Sequence, residues 1–332
     1  MSTGRKIAVV CLQLGGPDSL DAVEPFLYNL FCDPDIIDFP GAFLARRLLA
    51  KIISSSRSKT VALHYGEIGG KSPILELTKR QADALSASLS GALDADVFIA
   101  MRYWKPFTAE AASAIRSGGY DGIVLLPLYP QYSLATTASS LNEWNRRARE
   151  YGVAEIPCAL VDHYESHPLY IGAIAENVSA AYARFSGIPP GDIDIIFSAH
   201  GIPLSLVNRG DPYPGHITRT VRSTLEQGRW PSPHHLCFQS KVGPAKWLKP
   251  SLNETVKSLA ERGRKNFLIV PVAFVTEHIE TLHEINIETR EMAMHLGVER
   301  FEMMPALNDH PKFIACLKDL TVEAARTLPA TR

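Results

Sequence analysis

The chain has 332 residues, with 34 Lys and Arg against 35 Asp and Glu, and 46% of it is hydrophobic. A formal charge of −1 excludes a protein built to wrap nucleic acid or coat an anionic membrane, because both need a clear basic excess. The length passes the roughly 250 to 300 residues at which one core stops growing, so two domains are expected, and the apolar content excludes a disordered chain.

The opening MSTGRK has no apolar signal core and no Arg/Ser-rich presequence, and no stretch offers the roughly 20 apolar residues of a bilayer-spanning helix. A cytoplasmic location is expected. The first β-rich run, KIAVVCLQL from Lys6, ends in LGGPD. Gly15, Gly16 and Pro17 are adjacent and no GxGxxG follows, which favours a tight turn with close backbone approach over a phosphate cradle. FLARRLLAKII, from Phe43 to Ile53, sets Arg46, Arg47 and Lys51 among six bulky apolar residues. Core packing of an amphipathic helix is the plainer reading, and transient peripheral contact with an anionic membrane the sharper one.

Three further runs complete a first set: DVFIAMRY from Asp96, GIVLLPLYP from Gly122 and EIPCALVDH from Glu155. A boundary belongs near Asp162 to Pro168, giving expected domains 1–165 and 166–332. The second set is DIDIIFSAH from Asp192, HLCFQSK from His235, NFLIVPVAF from Asn266 and FEMMPAL from Phe301. Helix-like stretches such as ELTKRQADALSASLS and SLNETVKSLAERG lie between. Continuously apolar strands alternating with helices predict an α/β chain with two parallel sheets covered on both faces. Ligands bind beyond the carboxyl ends of such strands, so the residues there matter most.

The second strand delivers Arg102, Tyr103 and Trp104, a set able to hold a flat acidic ligand or to stack with no ligand. The third leads to Tyr129, Gln131, Tyr132 and Ser133, a polar and aromatic rim. The fifth delivers His200 in FSAHGIP, on the turn after an apolar strand, where an imidazole with an ordinary pKa near 6.5 can accept a proton or bind a metal. VNRGDPYP, downstream, is a turn-rich and rigid loop. After the seventh strand, FVTEHIETLHEINIETRE places Glu280, Glu284 and Glu288 at i, i+4 and i+8 of a helix starting near His278. Like charges at that spacing cost about 0.2 to 0.5 kcal/mol per pair in exposed peptides. The row is either a solvated stripe or a path for protons and hydrated divalent metal. One imidazole with one carboxylate makes an incomplete N/O site that leaves positions open for a metal in transit. The His234, His235 pair reads as structural. Cys11, Cys32, Cys158, Cys237 and Cys316 are odd in number and form no CxxC pair, which predicts neither a disulfide framework nor a thiolate zinc site.

FSAHGIPLSLVNRGDPYP, CFQSKVGPAKWLKP and PVAFVTEHIETLHEIN together resemble the ferrochelatase family, and LGGPD, MRYWKP and YPQYS fit it in the first half. The resemblance runs from about Lys6 to the last helix. It implies insertion of Fe(II), a substrate and not a resident cofactor, into protoporphyrin IX to give protoheme. It also implies two Rossmann-like domains with four-stranded parallel sheets, porphyrin in the cleft between them, and a last helix packing back on the first. By position, the family's essential histidine and glutamate fall on His200 and Glu280, both metal-binding and catalytic, with the acidic row continuing through Glu284 and Glu288. Glu277 stands where many members have Asp. Arg57, Tyr65, Ser72, Ser240 and Lys241 match porphyrin or propionate contacts, and Arg102, Tyr103 and Trp247 match cleft residues. Leu134 occupies the position of a cluster cysteine in some members and the C-terminal Cys-rich extension is missing, so no [2Fe–2S] cluster and no tightly bound cofactor is expected. A monomer is expected as well. The alternatives are a coproporphyrin ferrochelatase, a cobalt or nickel chelatase, and a non-catalytic tetrapyrrole-binding protein, the last of which needs neither His200 nor the acidic row.

Overall fold

The computed structural model describes residues 4–35, 42–241, 243 and 245–329. All eight expected strands form: β1 (Lys6–Gln13), β2 (Asp94–Met101), β3 (Gly122–Pro127), β4 (Cys158–Leu160), β5 (Ile193–His200), β6 (His234–Gln239), β7 (Asn266–Pro271) and β8 (Arg300–Met303). They make two four-stranded sheets, ordered β2-β1-β3-β4 and β6-β5-β7-β8, with every pairing parallel. This is the α/β architecture read from the sequence. The helices are α1 (Val23–Phe31), α2 (Ala42–Glu67), α3 (Ile74–Leu89), α4 (Thr108–Gly118), α5 (Ser139–Glu150), α6 (Pro168–Tyr182), α7 (Leu204–Asn208), α8 (Tyr213–Gly228), α9 (Leu252–Glu261), α10 (Arg290–His295) and α11 (Pro311–Thr327). Of the helix read from Phe43 to Ile53, the Phe43 and Leu44 side chains lie outside the described residues.

The chain divides into two compact units, Met1–His163 with Phe313–Arg332, and Tyr164–Lys312. The last helix, which was expected to pack back on the first domain from within 166–332, is grouped with the first unit. Its packing explains this: Arg5 Nη1 donates to the Leu328 and Pro329 carbonyls, and at Gly122 a Cβ would lie 2.6 Å from Leu328.

In each sheet the central strands are mostly apolar because helices cover both faces. Ile7 to Leu12 on β1 and Phe267 to Val270 on β7 are at most 1% exposed. Each such side chain contributes about 1.5 to 3 kcal/mol on burial. The chain moves to one side of β1 for β2 and to the other for β3, and repeats this around β5 for β6 and β7. The carboxyl ends of β1 and β5 are thus switch points, where a crevice opens. At the first, Gly15 takes φ +85° and a Cβ on Gly16 would lie 2.5 Å from Ser72 Oγ, so the double glycine serves close packing and not a phosphate cradle. At the foot of β5, His235 Nε2 lies 2.9 Å from buried Asp194, which also accepts from Arg264, a structural use of that histidine.

Candidate active site

At the second switch point β5 ends on His200. The next residue must be glycine: Gly201 N–H donates to the Gln239 carbonyl at 2.8 Å, and a Cβ there would stand 2.9 Å from the same oxygen. His200 Nδ1 lies 2.6 Å from the Gly201 carbonyl. A carbonyl only accepts, so Nδ1 carries the hydrogen and Nε2 of the neutral ring holds the lone pair. The Tyr213 hydroxyl donates to the His200 carbonyl at 2.9 Å, and Asp211 accepts the Tyr213 N–H at 3.0 Å. NRGDPYP thus acts as a brace for the histidine. Trp247 and Phe274 flank the imidazole with ring centroids at 6.4 and 6.2 Å.

The acidic row enters from the end of β7. Glu277 anchors the approach: its carboxylate accepts the Ala306 N–H at 2.8 Å and the Thr281 hydroxyl, and its own N–H donates to Asn308 at 3.1 Å. His278 packs at a tilt against Phe274, with ring centroids 4.4 Å apart, and places Nε2 3.5 Å from Glu280. Burial depresses the His278 pKa, which keeps that ring neutral. Where the sequence predicted an ordinary α-helix from His278, Glu280–Thr289 is π-helical. The Arg290 N–H reaches the Ile285 carbonyl five residues back, and the Thr289 hydroxyl adds a bond to the Glu284 carbonyl at 2.8 Å. The wider turn keeps residues four apart near one face, and π segments of this kind recur at functional sites.

Along this row the carboxylates pass from shielded to wet. The Glu280 side chain is 23% exposed and that of Glu288 52%, the latter 3.8 Å from buried His283. Glu284 accepts the Ser240 N–H at 2.7 Å and the Ser240 hydroxyl. Its pKa is raised, chiefly by burial, against the opposing pull of Ser240 and His200. Glu284 thus lies within electrostatic reach of both His200 and Glu280 inside one unit. Ser240, at φ +66°, pays backbone strain to aim both donors at Glu284.

The remaining expected contacts divide between the units. Beside this row stand Ser240, exposed Lys241, and half-buried Trp247, whose indole N–H has no hydrogen-bond partner among the described residues. In the first unit Arg102 and Tyr103 are committed to Asp33: Arg102 Nη2 at 2.9 Å, the Tyr103 hydroxyl at 2.5 Å and the Ser139 hydroxyl at 2.5 Å converge on one oxygen. Arg102 Nε also donates to Ser139 at 2.9 Å. Burial first, then the Asp33 charge, raise the Tyr103 pKa and hold the phenol protonated. Ser72 is buried against Gly16 and accepts the Ile74 N–H, Tyr65 is buried, and Arg57 lies over the Phe31 ring at 5.9 Å. Sequence reading missed Asp33, Ser198, Tyr213 and Gln239, and gave the His278-x-Glu280 pair little weight on its own. Tyr213 and Gln239 lie inside motifs already singled out, whereas Asp33 is 69 residues from Arg102 and carries no local signal.

A family model described as Ferrochelatase matches residues 6–325. A ferrochelatase of Geobacter metallireducens is 49% identical over 320 residues, covering 96% of this chain and 99% of its own. One of Geotalea uraniireducens is 47% identical over 316 residues, covering 95% and 97%. One of Aquifex aeolicus is 42% identical over 316 residues, covering 95% and 98%. Among solved structures, SirB from Bacillus subtilis with Fe3+ matches with a TM-score of 0.55 at 14% identity, over 97% of this chain and 94% of that one, a likeness of fold.

Proposed function

Because the chain belongs to the ferrochelatase family, we propose that it inserts Fe(II) into protoporphyrin IX, releasing two protons and forming protoheme. The observation that carries this reading is the His200 imidazole, its Nδ1 held by the Gly201 carbonyl, within electrostatic reach of Glu284 on the acidic row of the same unit. Two inner N–H groups block the hole of a rigid, planar macrocycle, so the enzyme must tilt the nitrogen lone pairs toward the metal and remove two protons. Trp247 and Phe274 supply apolar wall for a bent ring, and binding of the rest of the macrocycle meets a strain of about 1 to 5 kcal/mol. Taking a pyrrole proton and ligating iron both use the Nε2 lone pair of His200, and one pair serves one role at a time. A second group is therefore needed, and Glu280 fills it, with Glu284 and Glu288 carrying protons or hydrated metal between Glu280 and water. Lys241 and Arg57 pair with propionates, and Ser240 and Trp247 contact the ring. Tyr65, Ser72, Arg102 and Tyr103 act through the shape they fix. A monomer suffices, since imidazole and acids share one unit.

The test is an anaerobic assay with Fe(II) and each porphyrin in turn, followed by absorbance. Protoporphyrin IX is expected to be metallated. Turnover of coproporphyrin alone moves the reading to a coproporphyrin enzyme, and porphyrin binding without turnover reduces it to a carrier.

A second reading concerns where the porphyrin is met. On α2, Leu48 and Ile52 are 66% and 56% exposed beside Arg47 and Lys51, which favours transient contact with an anionic lipid surface. Among the described residues no helix is long and apolar enough to cross a membrane. Co-sedimentation with anionic liposomes at low salt is expected, and no binding there dismisses the contact.

A further inference from the structure

Ser198 lies two residues before His200 on β5 and is fully buried. Its hydroxyl donates to Gln239 Oε1 at 2.6 Å. A primary amide accepts at one end and donates at the other, so a donor fixed at the oxygen decides which way the NH2 group faces. Here that NH2 donates to the main-chain carbonyl of Glu280 at 3.1 Å and reaches Glu284 Oε2 at 3.5 Å. The Gln239 main chain meanwhile takes the Gly201 N–H at 2.8 Å. One residue, 4% exposed, thus touches the segment behind the histidine and both inner glutamates of the π-helix.

Burying an amide at such a position costs free energy unless each of its polar atoms is met, and here they are met only by groups of the active site. Were the amide to turn over, its oxygen would face the Glu280 carbonyl and the Glu284 carboxylate, two acceptors, so those acceptors select the observed orientation and the Ser198 hydroxyl completes it by donating to the oxygen. We infer that Gln239, oriented by Ser198, is a positioning residue that fixes the π-helical glutamates against the His200 strand and thereby sets the enzyme's hold on the metal, without touching the porphyrin. The inference rests on the reading of the acidic row given above and names a part of it that no motif assigns.

The experiment compares the parent, Ser198→Ala, Gln239→Leu and the double variant, each checked by thermal melting. Gln239→Leu is expected to raise the KM for Fe(II) about tenfold, the scale of a lost hydrogen bond to a charged group, with porphyrin affinity by fluorescence quenching within about twofold. Ser198→Ala is expected to raise it about threefold, and Ser198→Thr, which keeps the hydroxyl, to restore it. In the double variant the serine change is expected to add nothing, because Ser198 acts through the amide. Binding of Co(II) alone, read from its visible absorption, is expected to weaken in parallel, so the result does not depend on turnover. A parent that binds Co(II) but metallates no porphyrin overturns the functional reading and leaves the positioning role standing. Additive effects, or unchanged metal affinity with weakened porphyrin binding, overturn the positioning role. Should Gln239→Leu fail to fold, Ser198→Ala against Ser198→Thr decides alone, and equal metal affinity in those two overturns it.

Discussion

The two units share one sheet plan, yet the polar clusters at their strand ends are built in opposite ways. After β2, Arg102, Tyr103 and Ser139 all close on Asp33, whose side chain is fully buried. Arg102 Nη2, the Tyr103 hydroxyl and the Ser139 hydroxyl are each committed to that one carboxylate inside the unit. After β5, His200 uses one ring nitrogen on the Gly201 carbonyl and leaves the other with a lone pair, while the Glu280 and Glu288 side chains are partly exposed. A saturated cluster holds a fold, and an unsaturated one holds a reagent. On the function proposed above, the same architecture serves as scaffold in one half and as chemistry in the other, and damage to each should read out differently.

The sharpest way to break this contrast is His200→Ala. Metal insertion is expected to fall by about 10²- to 10⁴-fold, the usual contribution of a positioned acid or base, with porphyrin binding within a few-fold and the melting temperature unchanged. Loss of porphyrin binding with normal turnover by what remains would count against an open reagent. Its counterpart is Asp33→Ala, which leaves the Arg102 guanidinium and the Tyr103 phenol buried without their shared partner. Denaturant unfolding is expected to show a loss of about 3 to 5 kcal/mol, while the rate per folded molecule stays near that of the parent. An equal fall in rate per folded molecule would mean the first cluster is not mere scaffold.

A subtler probe is Glu284→Gln, expected to slow metal insertion with the fold intact, by less than His200→Ala because Glu284 relays protons and does not take them from the ring. The pH dependence has a definite sign. Burial raises the Glu284 pKa in the folded state, so its contribution to stability is fully present below the ordinary carboxylate value and is lost as pH rises through the raised one. Glutamine has no proton to lose. Melting curves are therefore expected to bring the variant up relative to the parent between acidic and neutral pH, and a gap independent of pH would contradict the burial argument.

How much of this was legible beforehand depended on range. β1, β3 and β7 are buried on both faces and so spell themselves as nearly continuous apolar runs, which is why the strands and the fold class were legible from pattern, whereas their order in each sheet is set by tertiary pairing. His200 and the glutamates were legible because strand ends and i+4 spacing are local. The π-helix was not, because its residues suit either helix and the wider turn is set by contacts such as that of Thr289 with the Glu284 carbonyl. The commitment of Arg102 to Asp33 was hidden for a related reason: MRYW advertises an arginine, and only the tertiary fold says who takes its hydrogens.

The smallest effect is expected where neither kind of cluster is touched, and it calibrates the others. α9 begins with a reciprocal cap in which Ser251 Oγ accepts the Glu254 N–H at 3.2 Å and Glu254 accepts the Ser251 N–H at 3.0 Å, with Lys249 at 2.8 Å. These bonds, Lys249 first, lower the Glu254 pKa to about 2. Such a group stabilises above the ordinary carboxylate value and stops doing so as pH falls through about 2. Ser251→Ala is expected to cost about 0.5 to 1 kcal/mol near neutrality, the range for a lost N-cap, with insertion kinetics unchanged. Because the glutamate side chain is half exposed, solvent screens its ion pair and the cap hydroxyl accounts for most of that loss. Chemical denaturation at stepwise lower pH should show the gap between parent and variant narrowing as Glu254 takes up its proton. A gap that widens instead would mean that the serine and the carboxylate do not support each other, and that the local cost assumed for a single hydrogen bond in the larger comparison is wrong.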